Sequence, residues 1–161
     1  MNTLTGVNPA VTSATALFAL GEVAWRPGGK AYKYIQANGV ITGDGYVVSW
    51  KGNVCDAAMI DTDVAATVVA GMELGVVECA FADNEYGWAQ VYGPCGIRTE
   101  QDALANSLLG PTADAGQIDD AGATANLCDG MYLGTATGGA DAVNATGFLV
   151  WPTMKDRYTP A

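Results

Sequence analysis

Large apolar residues alternate with small or polar ones in several short runs along the chain, and glycine-rich turns separate these runs. The clearest pair is residues 22–25 and 31–35, which flank Pro27, Gly28 and Gly29. Proline followed by two glycines favours a tight turn, so this pattern predicts a hairpin. Further strands are predicted at residues 46–50, 67–69, 74–79 and 88–92. Turns recur roughly every ten residues, which is typical of an all-β fold.

Helical periodicity is weak, and only residues 99–109 favour a helix. Thr99 is a suitable N-cap, and Glu100 and Asp102 follow in the first turn. The Gly110-Pro111 pair would end this helix. We therefore predict an all-β domain, a small β-barrel, with at most one short helix at its edge.

The first twenty residues carry no charged side chain. They predict an extended N-terminal arm that becomes ordered against a neighbouring molecule, with a frayed terminus as the equal alternative. Residues 13–20 are also compatible with a short helix. The predicted organisation is an arm at residues 1–20, a β-barrel domain at 21–153 and a tail at 154–161. The pattern leaves a barrel and a sandwich both open.

An internal echo suggests two related strand–turn–strand units. Residues 71–75 read GMELG and residues 130–134 read GMYLG, at an offset of 59 positions. A glycine-aromatic strand that ends in proline follows each of them, at residues 87–94 and 147–152. The echo predicts pseudo-symmetry within one domain, although chance matches are common in a glycine-rich chain.

The charge balance and the lack of histidine exclude several classes of function. Seventeen acidic residues against seven basic ones give a net charge of −10, and histidine is absent. An acidic chain does not neutralise phosphates, so nucleic acid is not an expected partner. The missing histidine excludes Ser-His-Asp and Cys-His catalysis and the common zinc motifs. We therefore expect a protein that is not an enzyme and that needs no metal or cofactor.

The charges are also unevenly distributed. Residues 1–51 hold four basic and two acidic side chains, whereas residues 52–153 hold one basic and fourteen acidic ones. Such asymmetry favours a docking segment that precedes an outward-facing acidic body.

Two apolar stretches could be mistaken for export or membrane signals. No basic residue precedes Arg26, so residues 11–20 lack the basic region of a signal peptide. Residues 64–81 contain Glu73 and Glu78, which are costly in a membrane and favour buried strands. We expect a soluble protein that is not secreted and has no membrane partner.

Four cysteines and several carboxylate pairs are candidates for chemistry. Cys55, Cys79, Cys95 and Cys128 form no CxxC motif, and free buried thiols are favoured over two disulfides. The close carboxylates are Asp61 with Asp63, Asp83 with Glu85, and Asp119 with Asp120. A glycosidase pair or a calcium loop would need such groups, but solvated turn residues are the favoured interpretation.

Aromatic residues are the remaining distinctive feature. Tyr86, Tyr92 and Trp151 lie beside predicted turns, so they are candidates for a subunit interface or a sugar-binding face. For Trp88 and Phe148 we favour a place in the core.

Several segments resemble the capsid decoration (cement) proteins of tailed bacteriophages. The resemblance covers roughly residues 21–152 and rests on a style of short, glycine-bounded strands. The segments that carry it are residues 29–37, 86–93, 108–112, 115–120 and 147–152.

The resemblance implies a small β-barrel or β-tulip that trimerises at three-fold points on the outer surface of a mature capsid. Such a protein binds the major capsid protein and stabilises the shell by bridging capsomers. It would be located in the virion, after assembly in the host cytoplasm. The candidate capsid contacts are Leu4, Val7, Val11, Leu17, Arg26, Lys30 and Lys33, and the candidate subunit contacts are Tyr86, Tyr92 and Trp151.

Two other functions stay open. The chain could be another virion component, such as a head-fibre base, a tail protein or a minor capsid protein. It could also be a carbohydrate-binding module that uses surface tyrosine and tryptophan.

Overall fold

The prediction of an all-β fold is confirmed. The computed structural model describes residues 7–60, 71–121, 126–139 and 143–155, and the only helical element in these ranges is a 3-10 turn at Gly52–Val54. The predicted strand at residues 67–69 lies outside them. The ten strands are β1 (Val23–Arg26), β2 (Lys30–Ala37), β3 (Val47–Trp50), β4 (Asp56–Met59), β5 (Glu73–Val77), β6 (Tyr86–Thr99), β7 (Leu109–Pro111), β8 (Ile118–Asp120), β9 (Leu127–Leu133) and β10 (Val143–Lys155).

The predicted hairpin forms as β1 and β2. Arg26 pairs with Lys30 across the turn, where Gly28 and Gly29 have φ angles of 88° and 72°. These positive φ angles are readily accessible to glycine, which explains the turn sequence. The hairpin places β1 at one end of the sheet.

Five strands pair in a closed, ring-like order. β2 pairs with β4, β4 with β3, β3 with β5, β5 with β6, and β6 again with β2. The β2–β4 pair is parallel and the other four pairs are antiparallel. Alternate residues of these strands face one interior cluster, which includes Ile35, Trp50, Val77 and Ala89.

Trp50 fills much of this interior and is fully buried. A Cβ atom at Gly75, on the neighbouring strand β5, would lie 2.8 Å from the Trp50 ring. Only glycine therefore lets β5 approach the indole this closely.

The long strand β10 carries the second half of the structure. It pairs with β6 on one side and with β9 on the other, and it contacts β5 through Thr153 and Glu73. β7 and β8 extend the sheet beyond the end of β6. A second core forms between these strands and the ring, and Leu74, Ile97, Ile118 and Leu149 are among its buried residues.

The internal echo matches the strands only in its second half. β6 and β10 contain the two glycine-aromatic segments, and they pair with each other in an antiparallel ladder. In the first half, Gly71 precedes β5, whereas Gly130 lies inside β9. The matching residues 71–75 and 130–134 therefore do not occupy equivalent positions in β5 and β9.

The predicted helix at residues 99–109 is wrong. Thr99 is the last residue of β6 and pairs with Val143 and Ile118. Beyond it, Asp102 and Asn106 have φ angles of 62° and 61°, which interrupt a right-handed helix. The Asp102 carboxylate accepts a hydrogen bond from the backbone N–H of Gly139 at 2.9 Å, so it serves a turn contact rather than a helix N-terminus.

The described part of the chain contains no helix with the length and apolar character needed to cross a membrane.

Because side chains of β10 alternate between its two faces, we predict a large loss of stability at one position and a small change at the next. Leu149 is fully buried, whereas the neighbouring Val150 is 45% exposed. Leu149→Ala should lower the free energy of unfolding by about 2–5 kcal/mol, because it leaves a cavity in the second core. Val150→Ala should change it by less than about 0.5 kcal/mol. Urea unfolding of both variants measures this, and a larger loss for Val150→Ala would contradict the register of β10.

Candidate functional site

The described part of the N-terminal arm, residues 7–20, lies against the protein's own sheet. Ser13 and Tyr86 exchange two backbone hydrogen bonds, of 2.9 and 2.8 Å. The Phe18 ring packs edge-on against Tyr34 and Trp88, with centroid distances of 5.3 and 5.0 Å. Phe18 thereby buries apolar surface on the outer face of β2 and β6. Residues 13–20 form no helix.

This segment turns other apolar side chains towards solvent. Val11 is 57% exposed, Leu17 is 68% exposed and Leu20 is 37% exposed. Val7 instead packs partly buried beside the aromatic cluster of Phe18, and Leu4 lies outside the described residues. We call the solvent-facing side chains of Val11, Leu17 and Leu20 the N-terminal surface.

The three basic capsid-contact candidates have different surroundings. Arg26 is exposed in the β1–β2 turn. Lys30 forms an ion pair with Glu78 at 3.2 Å, and Tyr32 donates a 2.6 Å hydrogen bond to the same carboxylate. Burial and that bond to a carboxylate raise the pKa of Tyr32, so the phenol stays protonated. The sequence alone did not indicate that Lys30 would be paired.

Lys33 points to the interior of the ring and is paired there. Its ammonium lies 2.6 Å from Glu73 Oε2, and only 12% of its side chain is exposed. The Trp50 indole N–H donates to the same oxygen at 3.3 Å. Lys33 therefore holds the Glu73 carboxylate in place and presents little surface to a partner.

Tyr92 and Trp151 meet in a cluster that we call the aromatic patch, formed by the exposed Phe148 and Trp151 and the partly buried Trp25 and Tyr92. The Tyr92 and Trp151 centroids are 6.4 Å apart, and Trp25 lies 5.5 Å from Tyr92 and 6.3 Å from Trp151. Phe148 contacts Tyr92 edge-on at 5.6 Å. The third subunit-contact candidate, Tyr86, is stacked on Tyr34 beneath the N-terminal segment and takes no part in this cluster.

The core assignment of Trp88 is confirmed, and that of Phe148 is wrong. Trp88 is 2% exposed, whereas Phe148 is 40% exposed. Gly147 and Leu149 face inward on β10, so strict alternation turns Phe148 outward. Residues 148–151 are all apolar, so no alternation in the sequence indicated which face would be buried.

Trp151 has an unusual backbone. Its φ angle is 46°, and the register between β9 and β10 shifts between Leu149 and Thr153. A bulky residue in this region costs of order 1–3 kcal/mol, and such strain is concentrated at functional sites. The bulge keeps the Trp151 side chain 45% exposed.

A cleft of about 210 Å³ opens beside Trp151. It lies where one edge of β6 passes from pairing with β5, at Gln90, to pairing with β10, at Tyr92. Its walls are mostly apolar, and Glu73 and Thr153 supply the polar groups. The lining residues are Glu73, Leu74, Val91, Trp151, Pro152 and Thr153. The sequence marked Glu73 as a carboxylate within an apolar stretch, but no pattern assigned it to a cleft.

The described cysteines and carboxylates that were candidates for chemistry are at least partly buried or make structural hydrogen bonds. All four cysteines are free thiols, and burial raises the pKa of both Cys95 and Cys128 to about 12. Asp83 accepts a hydrogen bond from the Gly39 N–H, and Asp120 accepts one from Leu104. Within the described ranges, no three cysteine or carboxylate side chains come together as a metal site would require; Asp61 and Asp63 lie outside those ranges.

Glu85 links the N-terminal segment to the sheet in a pH-dependent way. Its carboxylate accepts hydrogen bonds from the Ala82 N–H at 2.9 Å and the Thr12 hydroxyl at 2.8 Å, and these bonds lower its pKa. The Thr12 bond exists only while the segment is docked, so its share of the lowered pKa stabilises the docked state above the ordinary glutamate pKa of about 4.3, and this stabilisation is lost as pH falls through the lowered value.

We therefore expect acid to release residues 7–20 before the domain unfolds. An NMR pH titration should show the Ser13 amide and Trp88 indole signals changing together below about pH 4.3. In Glu85→Gln the segment should dock more weakly at neutral pH and lose this pH dependence. Asp83→Asn, on the same turn, is the control and should titrate like the wild type. An unchanged titration in Glu85→Gln would show that another group is responsible.

No family model matches the chain, and no curated protein or solved structure matches it either.

Proposed function

We propose that this chain is a structural virion protein, without catalytic activity, that binds the outer surface of a mature bacteriophage capsid and stabilises it by bridging capsomers. The N-terminal surface is the observation that carries this proposal. Residues 7–21 contain no ionisable side chain, in a chain of net charge −10. Val11, Leu17 and Leu20 are exposed within this uncharged stretch.

Exposed leucine and valine side chains stabilise a complex when a partner covers them. Full burial of such a side chain contributes about 1.5–3 kcal/mol, so two or three half-exposed ones contribute a few kcal/mol. That alone gives weak binding, because association costs several kcal/mol in lost rigid-body freedom. The proposed homotrimer would present three such surfaces at once, and this multivalency would raise the affinity without new contacts.

The charge distribution supports docking through the N-terminal surface, with the acidic body facing outward. A partner covers an uncharged segment without leaving an ion unpaired, whereas it would have to desolvate the carboxylates of the acidic body. An acidic outer side would also keep virions apart in solution. Binding only to the mature shell would stabilise that shell by mass action.

A capsid-binding assay with matched variants tests the proposal. The wild type should co-sediment saturably with empty expanded capsids from its source. Leu17→Asp should bind at least about tenfold more weakly, because the complex would bury an unpaired carboxylate. Leu104→Asp is the control: Leu104 is 58% exposed, far along the chain from the N-terminal surface, and its substitution adds the same charge. A wild type that does not bind, or equal binding by both variants, would contradict the proposal.

The oligomeric state has its own measurement. Light scattering after size exclusion should give a mass near three times 16.5 kDa, alone or on release from capsids. A monomer in both conditions would contradict the homotrimer while leaving the capsid-binding assay to decide the rest.

A further inference from the structure

We propose that the cleft beside Trp151 binds a single neutral sugar ring, with the Trp151 indole as the stacking surface and Glu73 as the hydrogen-bond acceptor. This inference is independent of the capsid proposal, because it uses none of the N-terminal surface. It also gives Trp151 a role different from the subunit contact predicted from the sequence.

The size of the cleft favours a small ligand. Its volume of about 210 Å³ is below the roughly 300–1,000 Å³ of sites that enclose a drug-sized molecule. The cleft is lined by six residues, whereas a stable protein interface takes about 20–30 residues on each side. The area that the cleft itself offers therefore suits one ring better than a second copy of the chain.

The chemistry of the lining fits a sugar. The apolar faces of sugars stack on tryptophan, and Leu74, Val91 and Pro152 continue the apolar wall. Sugar hydroxyls need acceptors, and a carboxylate is a strong one. Thr153 adds a hydroxyl group to the same cleft.

Glu73 is already oriented for this task. Lys33 and the Trp50 indole both bind Oε2, so these two contacts fix the carboxylate, which lines the cleft. A fixed acceptor loses little conformational freedom when the ligand arrives. Trp151 is fixed in a similar way, because the bulge and the contacts to Trp25 and Tyr92 set its position.

Charge predicts which sugars are accepted. Lys33 offsets the local charge of Glu73, so it is the net charge of −10 that disfavours anionic ligands. Neutral hexoses and N-acetylhexosamines should therefore bind, and N-acetylneuraminic acid should not.

NMR of the tryptophan indoles tests the proposal. The full chain has four tryptophans, and Trp151→Phe identifies the Trp151 signal. Glucose, galactose, mannose, N-acetylglucosamine and N-acetylgalactosamine are titrated to about 50 mM, which nearly saturates a site of millimolar affinity. At least one of them should shift the Trp151 signal saturably while the buried Trp88 signal stays in place. N-acetylneuraminic acid should shift neither.

Variants separate a binding role from a structural one. Trp151→Gly removes the ring and suits the positive φ angle, so the sugar-induced shift of the Thr153 backbone amide should be lost while the unfolding midpoint changes little. Glu73→Gln should weaken binding about tenfold, because a neutral amide is a poorer acceptor than a carboxylate. It also removes the ion-pair partner of Lys33, so its unfolding midpoint is measured beside its binding. Phe148→Ala removes a ring of the aromatic patch that does not line the cleft, and it should bind like the wild type.

Two results would overturn the proposal. One is that no sugar in the panel moves the Trp151 signal. The other is that this signal shifts with protein concentration alone, which would make the patch a contact between copies. Neither result affects the capsid assay with Leu17→Asp, so the two proposals fail separately.

Discussion

The whole architecture depends on β6 pairing along both of its edges. Residues 86–92 pair with β2 on one edge, and the opposite edge pairs first with β5 and then with β10. The first half of β6 thereby closes the ring, and the second half supports β10 and everything attached to it. Gln90, fully buried, donates hydrogen bonds to the carbonyls of Tyr92 and Pro94, which braces the strand at this change of partner.

The cleft is a consequence of that change of partner. β5 and β10 cannot occupy the same edge of β6 at the same residue, so β10 must leave the edge where β5 begins to pair. It leaves through a bulge, and bulges reorient the side chains that they contain. The strained conformation of Trp151 and its exposed indole arise at this point. The topology therefore creates the concave surface, and the sequence places an aromatic ring and a carboxylate on it.

The sequence predicted local structure better than it predicted which residues would meet. The β1–β2 hairpin was readable because Pro27, Gly28 and Gly29 determine the turn locally. The helix prediction at residues 99–109 failed because the Asp102 side chain bonds to a distant turn, a contact that no local pattern reveals. Phe148 was misplaced for the same kind of reason: alternation gives two faces, but only the tertiary pairing decides which one is buried.

In the candidate sites, too, the sequence indicated single residues or segments but not their tertiary contacts. An uncharged N-terminal segment was visible in the sequence, but its packing on Tyr34 and Trp88 required the fold. Glu73 was visible as an isolated carboxylate, yet its partners lie 40 and 23 positions away, on Lys33 and Trp50. The N-terminal segment and the aromatic patch contact different parts of β6. Tyr86 lies under the N-terminal segment. Tyr92, in the aromatic patch, follows six residues later, which is about 20 Å along an extended strand. One strand therefore runs under both sites and holds them in a fixed orientation.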